Sequence, residues 1–184
     1  MKLLLHICCG PCAVYPVSVL QRENIDFSGF FYNPNIHPVK EYQRRKENVE
    51  ILSGIKNINV DYMDDIKQSS WERFTGSEEQ RCTMCYSLRF DKTASIAKEK
   101  GFDAFTTTLL VSPYQKHDLM RELGEKYAEK YEIEFYYRDF RPGFREGQQQ
   151  ARDLGLYRQK FCGCIKSLEQ SEYKEKILSQ YNSV

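Results

Sequence analysis

The cysteines of this chain form three short groups that lie far apart in the sequence. They are Cys8, Cys9 and Cys12 in "CCGPC", Cys82 and Cys85 in "CTMC", and Cys162 and Cys164 in "CGC". Thiolates bind soft metals and form dithiol redox couples, so each group has the residue type and spacing for one of these chemistries. One tetrahedral zinc or one iron-sulfur cluster takes four ligands, which leaves three sulfurs for a second metal or a redox pair.

Narrower interpretations of the sulfur groups are open. "CGPC" is the sequence of a thioredoxin-type dithiol, but here it follows the first predicted strand, and Cys8 replaces the aromatic residue expected before it. The two CxxC pairs suit zinc, although their separation exceeds that of a zinc ribbon. Neither the ferredoxin run nor the CxxxCxxC triplet of radical S-adenosylmethionine enzymes occurs. The alternative without metal or redox chemistry is that single cysteines pack in the core as small hydrophobic residues.

A few other polar side chains have candidate roles. His6 lies inside the first predicted strand and is expected to be a hydrogen-bonded core histidine, whereas His37 in "NPNIHP" is equally compatible with a role in binding. Asp139 ends the fifth predicted strand, where its carboxylate can ligate iron, donate a proton or cap the following turn. No GxGxxG, GK[ST] or HExxH motif occurs, so dinucleotide, P-loop and zincin chemistry lack support.

The elements that position these residues alternate between strands and helices. Apolar runs at 2–7, 26–33, 58–63, 102–111 and 133–140 predict five strands, and helical spacing at 13–24, 39–52, 81–101 and 117–131 predicts four helices between them. Gly101 is the predicted cap of the third of these helices. This order predicts a three-layer α/β fold with a mainly parallel, Rossmann-like sheet, in one catalytic domain over 1–184 that is mostly helical from about residue 145.

Parallel sheets bind ligands at the carboxyl ends of their strands. "HICCGPC", "NPNIHP", "SPY" and "DFRPG" follow four different predicted strands, so we expect these motifs to converge on one crevice. The apolar run at the amino terminus is too short for a signal peptide or a membrane span, which predicts a cytoplasmic protein with no membrane partner. The net charge of +1 permits a nucleic-acid partner without requiring one.

Taken together, the motifs resemble those of the QueH family of epoxyqueuosine reductases. The matching segments are "LLLHICCGPC", "FFYNPNIHPVKEY", "RCTMCYSLRF", "FTTTLLVSPYQ", "DFRPG" and "GLYRQKFCGC", which run from residue 3 to residue 164. The resemblance implies reductive removal of the epoxide oxygen from epoxyqueuosine at the wobble position of a tRNA anticodon, giving queuosine without cobalamin. It also implies a [4Fe-4S] cluster, an adjacent iron, and a fold similar to the nucleotide-binding domains of PP-loop enzymes.

The resemblance also implies roles for particular residues. The cluster positions correspond to Cys8, Cys9, Cys82 and Cys85, with Cys12, Cys162 and Cys164 as alternatives for these positions. The remaining metal candidates would hold the second iron. They are the sulfurs of Cys12, Cys162 and Cys164, with Asp139 as an oxygen ligand. Alternatively, Cys162 and Cys164 shuttle between dithiol and disulfide. Separately from the resemblance, loss of the epoxide oxygen as water requires protons, and Asp139, or a water that it positions, is the expected proton donor.

A tRNA substrate requires cations around an aromatic pocket. The expected substrate-binding residues are His37, Tyr157 and Arg158, together with the cations Arg44, Arg45, Lys46 and Lys160. Two rival functions stay open, an ATP-using PP-loop tRNA-modifying enzyme and a zinc-binding module that docks RNA. The sequence does not identify the electron donor.

Overall fold

A computed structural model gives the fold of residues 1–182, and of the side chains up to residue 181. The five strands are β1 (Lys2–His6), β2 (Asp26–Phe31), β3 (Val60–Tyr62), β4 (Ala104–Thr107) and β5 (Glu134–Phe135). The eight helices are α1 (Gly10–Arg22), α2 (Val39–Lys56), α3 (Gln68–Glu72), α4 (Glu78–Glu99), α5 (His117–Tyr131), α6 (Phe144–Asp153), α7 (Ile165–Glu169) and α8 (Lys174–Asn182). Short 3-10 turns occupy Thr108–Val111 and Arg141–Gly143.

The strands form one parallel sheet in the order β3-β2-β1-β4-β5. Successive side chains of a strand point to opposite faces, and β1 shows this clearly. Leu4 packs in one apolar cluster with Phe90 of α4 and Met120 of α5, whereas Leu3 and Leu5 belong to a second cluster that includes residues of α1 and α2. Helices therefore cover both faces, which confirms the predicted three-layer α/β fold with a parallel sheet.

Successive strands are added on one side of β1 up to β3 and on the other side from β4 onward, because β1 pairs with both β2 and β4. Ligands of doubly wound sheets bind in the crevice outside such a switch point. The segment that follows β1 contains Cys8 and Cys9, and α1 begins directly afterwards at Gly10. A Cβ atom on Gly10 would lie 2.9 Å from the backbone oxygen of Asn48 in α2, so glycine is needed where these two helices meet.

Three predicted elements differ from the observed ones. The fourth strand ends at Thr107, whose hydroxyl accepts a hydrogen bond from the Leu109 N–H at 3.1 Å and turns the chain into a 3-10 helix. The fifth strand contains only Glu134–Phe135, so Asp139 lies in a loop beyond the sheet. The polar stretch before α4 contains the short helix α3, which buries Trp71.

The boundaries of α4 follow from local chemistry. At its start, Ser77 and Gln80 form a reciprocal capping box, with bonds of 3.2 Å and 2.8 Å. At its end, Gly101 has a φ of +69°, the left-handed conformation that glycine adopts at low cost, which confirms the predicted cap. This long helix carries Cys82 and Cys85 on its first two turns.

The carboxyl-terminal segment contacts α2, because the Tyr181 hydroxyl donates to Glu41 and Gln180 accepts a bond from Arg44 at 3.2 Å. Residues 154–164 contain no helix, and α7 and α8 share a small apolar cluster of Phe161, Leu168, Ile177 and Tyr181. A single domain over 1–184 stays a prediction, whose last two residues lie outside the described part. Within 1–182, none of the helices combines the length and the apolar character needed to cross a bilayer.

Candidate metal and nucleic-acid site

A cavity of about 820 Å³ opens at the carboxyl ends of the central strands. Its lining includes Cys8 after β1, Asn33 and Asn35 after β2, and Ser112 and Tyr114 after β4. Three of the four motifs expected at this crevice therefore converge, while the lining does not include "DFRPG" (residues 139–143). Six of the seven cysteines contribute to the wall: Cys8, Cys12, Cys82, Cys85, Cys162 and Cys164.

The first sulfur group is a compact trio at the start of α1. The Sγ atoms of Cys8, Cys9 and Cys12 all lie within 4.8 Å of one another, and all three residues are buried. Cys8 and Cys9 precede the helix, and Cys12 lies on its first turn, so the helix start folds the three thiols together. Three sulfurs at this separation could hold a metal ion.

The trio favours one thiolate. Hydrogen bonds from Cys12 and Cys9 hold the pKa of the Cys8 thiol well below its usual value, whereas the same bond to Cys8 raises the pKa of Cys12. The Thr108 hydroxyl adds a donor, because it lies 3.4 Å from the Cys8 Sγ atom and also accepts a bond from the Cys8 N–H at 3.1 Å. Burial raises the pKa of Cys9. A thiolate at Cys8 is the form that binds metal.

The second sulfur group joins α4 to the loop before α7. Cys82 and Cys85 are three positions apart and therefore lie on the same side of α4. Burial raises the pKa of Cys85 to about 12, and the charges of Cys162, Cys164 and Cys82 act in the same direction. Cys162 is the one exposed cysteine, and since it lines the cavity we infer that its free surface faces the interior of this site.

Gly163 shapes the turn between Cys162 and Cys164. Its φ of +137° lies in the region that only glycine adopts readily, and a Cβ atom there would lie 3.0 Å from an Arg45 guanidinium nitrogen. The Cys164 Sγ atom accepts a hydrogen bond from the Ser167 N–H at 3.4 Å and so caps α7. The "CGC" spacing therefore produces a tight turn with both sulfurs on the cavity wall.

Two buried arginines stand beside the sulfurs. Arg89 is 2% exposed and donates from Nη2 to the Cys85 Sγ atom at 3.2 Å. No carboxylate pairs with Arg89 among the described residues. Arg45 pairs with Glu41 at 2.6 Å and donates to the carbonyl of Cys162 at 2.9 Å. A buried cation without a carboxylate is costly, so Arg89 requires negative charge, which thiolates or an anionic metal-thiolate group would supply.

Unsatisfied polar groups concentrate at the same cavity. Eight buried side-chain atoms in the described region have no hydrogen-bond partner, and five of them belong to cavity residues. These five residues are Asn33, Asn35, Trp71, Gln159 and Ser167. Buried polar groups in native proteins nearly always have partners, so this concentration is typical of a site that receives a polar ligand.

The cavity is strongly basic. Its described lining contains one acidic residue, Glu78, and eight cations, namely Arg45, Arg81, Arg89, Lys116, Arg145, Arg152, Arg158 and Lys160. Among the described residues, Arg45 is the one of these eight that forms an ion pair with a carboxylate, whereas nine of the nineteen Lys or Arg side chains away from the lining do so. Unpaired cations around a concave surface match the needs of a polyanion such as RNA.

The predicted binding residues divide into two sets. Arg45, Arg158 and Lys160 line the cavity, as do all the predicted metal cysteines except Cys9. Arg44, Lys46 and Tyr157 are absent from the lining. Arg44 stacks on the Tyr157 ring at 3.6 Å, the Tyr157 hydroxyl donates to Glu41 at 2.9 Å, and Lys46 pairs with Asp64 at 2.7 Å. Their roles in binding tRNA stay predictions.

His37 and His6 are both fully buried with their ring nitrogens engaged. The Nε2 atom of His37 lies 3.0 Å from the Pro34 carbonyl oxygen, and its Nδ1 atom accepts the Ile165 N–H at 3.1 Å. His37 therefore holds the start of α7, and the substrate role predicted for it has no support from this position. His6 bonds to the Thr107 hydroxyl at 2.8 Å and the Tyr32 carbonyl at 3.0 Å, which confirms the expected core histidine.

Asp139 lies away from the cavity lining. Its carboxylate forms two bonds with the Arg141 guanidinium, at 2.8 Å and 2.7 Å, and the side chain is 38% exposed. Hydrogen bonding from Arg141 lowers the pKa of Asp139 to about 2, so the group carries no proton at neutral pH. The predicted roles of Asp139 as iron ligand and proton donor thus stay predictions that this geometry does not favour.

Several cavity residues escaped the sequence-based prediction. Arg89 follows Cys85 by one helical turn, and this i, i+4 spacing was a readable signal. Trp71 lies in a stretch without clear periodicity, and Gln159 reaches the sulfurs from a loop, with its Nε2 atom 3.1 Å from the Cys9 Sγ atom. No local pattern in the sequence indicated these two residues.

Comparison with known proteins decides the family. Residues 3–170 match the family model described as "Epoxyqueuosine reductase QueH". The chain belongs to the QueH family. It is 33% identical to the epoxyqueuosine reductase QueH of Thermotoga maritima, over 96% of this chain and 95% of that protein. It is 38% identical to the QueH protein of Histophilus somni, over 91% of this chain and 72% of that protein.

Membership confirms the resemblance noted from the motifs and classes the chain as an oxidoreductase of queuosine biosynthesis. Among solved structures, the zinc-inhibited form of teicoplanin deacetylase Orf2 aligns with a TM-score of 0.49 and 10% identity, over 84% of this chain and 83% of that one. That similarity is too low to bear on function. Assignment to the QueH family therefore rests on the sequence match.

Proposed function

We propose that the chain reduces epoxyqueuosine in tRNA to queuosine, using a cluster of the [4Fe-4S] type and a second iron, without cobalamin. The observation that carries this proposal is the convergence on one cavity, in a QueH-family chain, of six cysteines and of seven cations that have no carboxylate partner among the described residues. Sulfur ligands supply the redox site, and unpaired cations supply the contact with RNA. The electron donor stays unidentified.

The residues present fit an iron-sulfur group. Such clusters require cysteine thiolates, and Arg89 is a buried cation that requires negative charge beside Cys85. The cluster would be held by Cys8, Cys9, Cys82 and Cys85. Cys12 lies in the same trio as Cys8 and Cys9 and, with Cys162 and Cys164, would hold the second iron if those two sulfurs do not form a redox pair.

The reaction requires two electrons and two protons, because the epoxide oxygen leaves as water and a carbon-carbon double bond forms. When bound, the metal centre supplies electrons and a Lewis acid for the oxygen. If Cys162 and Cys164 form a redox pair instead of holding the second iron, they supply the same two electrons and two protons, since oxidation of two thiols to one disulfide releases both. Both sulfurs line the cavity one residue apart, which suits this couple.

The cavity size and charge suit one splayed nucleotide. A volume of about 820 Å³ lies within the range of small-molecule sites, so a single modified nucleoside fits while the rest of the tRNA stays outside. Arg145, Arg152 and Arg158 on the lining form no ion pair with a described carboxylate, so their charge is available to neutralise phosphates. Trp71, Asn33 and Asn35 offer an indole N–H and amide groups for the polar edges of the base.

Two measurements test the proposal. Protein purified without oxygen should contain about four acid-labile sulfides and more than four irons per chain. Digested tRNA analysed by mass spectrometry should show conversion of epoxyqueuosine to queuosine. Zinc without sulfide, together with no conversion under reducing conditions, would overturn the reductase and favour a zinc-binding RNA module.

Matched cysteine variants separate the roles of the sulfur groups. Cys82→Ser should lose sulfide and conversion together, because a cluster position is removed. Cys162→Ser and Cys164→Ser should retain four sulfides while conversion falls, because they remove the dithiol or the second iron. The iron count distinguishes the last two cases, since only loss of a metal ligand lowers it. Loss of sulfide in the Cys162 and Cys164 variants would contradict this division.

A further inference from the structure

Tyr114 is an exposed aromatic residue at the rim of the cavity. Its side chain is 82% exposed, whereas the other exposed large hydrophobic residues of the described region range from 41% to 54%. It nevertheless belongs to the cavity lining, and its ring contacts the edge of Phe144 with centroids 5.8 Å apart. Its hydroxyl forms no hydrogen bond with any described residue. The ring therefore offers an uncovered π face beside the opening.

The backbone that carries this ring is held firmly. Ser112 accepts the Tyr114 N–H through its hydroxyl at 3.3 Å and receives a bond from His117 Nε2 through its carbonyl at 3.0 Å. The next residue, Gln115, accepts the hydroxyl of Tyr86 in α4 through Oε1 at 2.6 Å. These bonds fix the loop to α4 and α5 while the Tyr114 ring stays free. A fixed backbone lowers the entropy lost when a ligand stacks on the ring.

Cations without acidic partners accompany the ring. Lys116 follows two residues later, Arg145 follows Phe144 on α6, and Arg81 lies on the first turn of α4. All three line the cavity and form no ion pair with a described carboxylate. Aromatic rings alternating with cations along a groove are typical of surfaces that bind single-stranded nucleic acid, in which bases stack and phosphates are neutralised.

We propose that Tyr114, supported by Phe144, stacks on the unmodified base next to epoxyqueuosine in the anticodon loop, with Lys116 and Arg145 near the flanking phosphates. This inference rests on the proposed function. The bases of an RNA loop can be unstacked and received by aromatic side chains. Since the modified nucleotide enters the cavity, the neighbouring nucleotide lies at the rim, where Tyr114 stands. Stacking there would hold the loop open and orient the nucleotide that enters.

The test uses the metal-loaded protein and an anticodon stem-loop RNA that lacks the modification. Tyr114→Ala should weaken binding, measured by fluorescence anisotropy, between about 5-fold and 100-fold, the range for loss of one base-aromatic stack. Tyr114→Phe should bind like the parent protein, because the hydroxyl has no partner. Ile55→Ala, at an exposed apolar position outside the cavity lining, should have no effect.

A second RNA makes the test specific to stacking. In stem-loops from which one neighbouring base has been removed, the parent protein should lose as much affinity as Tyr114→Ala loses with intact RNA. The two losses should not add, because both remove the same contact. With epoxyqueuosine-tRNA, Tyr114→Ala should raise KM and leave kcat unchanged. The stacking role would be overturned if the two losses added for stem-loops that lack either neighbouring base. It would also be overturned if Tyr114→Ala bound intact RNA within twofold of the parent protein.

The outcomes also separate this inference from the proposed function. If the parent protein binds RNA and reduces epoxyqueuosine while Tyr114→Ala behaves identically, only the stacking role is wrong. If the parent protein neither binds the stem-loop nor converts epoxyqueuosine-tRNA, the reductase proposal and the stacking role are both overturned.

Discussion

Replacement of Glu41 by alanine should destabilise the protein more than any surface substitution. The Glu41 carboxylate is fully buried and accepts bonds from Arg45 Nε at 2.6 Å, from the Tyr157 hydroxyl at 2.9 Å and from the Tyr181 hydroxyl. Its removal leaves the buried Arg45 guanidinium without a counter-charge, which costs about 3–5 kcal/mol in comparable pairs. The two hydroxyls that lose their acceptor add to that cost.

The assay is the free energy of unfolding in urea, followed by circular dichroism on metal-free protein so that metal binding does not contribute. Glu41→Ala should lose about 3–5 kcal/mol. The double variant Glu41→Leu with Arg45→Met should lose less than this, because no unpaired charge stays buried. The control Glu125→Ala removes an exposed pair with Arg121 and should cost far less than Glu41→Ala, because solvent screens both charges. A Glu41→Ala cost below about 1 kcal/mol would refute the reasoning.

The same substitution should also loosen the sulfur loop. Arg45 donates to the carbonyls of Phe161 at 3.1 Å and Cys162 at 2.9 Å, so it links α2 to the "CGC" turn. Without Glu41 the guanidinium is free to move toward water, and its bonds to these carbonyls weaken. Alkylation of Cys162 should therefore be faster in Glu41→Ala than in the parent protein. Equal rates would show that the turn holds its shape without this pair.

The other predictions concern three residues. Arg89→Met should weaken iron retention about 10- to 100-fold relative to Arg89→Lys, because it removes a charge-assisted bond to Cys85 worth about 1.5–3 kcal/mol. The measurement is a chelator titration of both variants, and equal iron content in the two would contradict this prediction. Burial lowers the pKa of His37 to about 4, below its unfolded value of 6.5, so its contribution to stability is complete above pH 6.5 and is lost as the pH falls toward 4. His37→Gln should therefore reduce the pH dependence of the free energy of unfolding between pH 6.5 and 4 by up to about 1.4 kcal/mol per pH unit. An unchanged pH dependence would show that protonation of His37 does not contribute to it. If Asp139 is the proton donor, Asp139→Asn should lose most of its turnover at constant sulfide content. If the carboxylate only pairs with Arg141 at the surface, turnover should stay near that of the parent protein. The rate of queuosine formation decides between these two outcomes.

The sequence predicted the fold well because its signals were local. Alternating apolar runs and helical spacing located the five strands, and Gly101 marked the end of α4. The predicted fifth strand is too long because residues 133–140 include four aromatic residues, which favour strands, although only Glu134–Phe135 pair with β4. A strand as long as the predicted one would end at the crevice and bring Asp139 to it, whereas in the fold Asp139 lies in a loop beyond the sheet, and its role in the site stays a prediction.

The site was harder to predict because it depends on contacts between distant segments. The grouping of Cys8, Cys9 and Cys12 follows from one helix start and could be read from spacing. The position of Gln159 beside Cys9 depends on how the loop after α6 crosses the mouth of the crevice. The burial of His37 depends on α7, whose first N–H it accepts. No periodicity within a single segment encodes either contact.

The overall charge illustrates the same limit. A net charge of +1 gave no reason to expect a nucleic-acid partner, because it averages over all 27 Lys or Arg and 26 Asp or Glu residues. In the fold, the lining of the crevice contains a single acidic residue, Glu78, and seven of its eight cations form no ion pair with a described carboxylate. A polyanion responds to the local potential within about a Debye length, near 8 Å at physiological salt, and not to the total charge. RNA binding by this nearly neutral chain is therefore expected to depend steeply on salt. It is also expected to fail when the rim cations Arg145 and Arg158 are replaced, even though these two substitutions barely change the net charge of the protein.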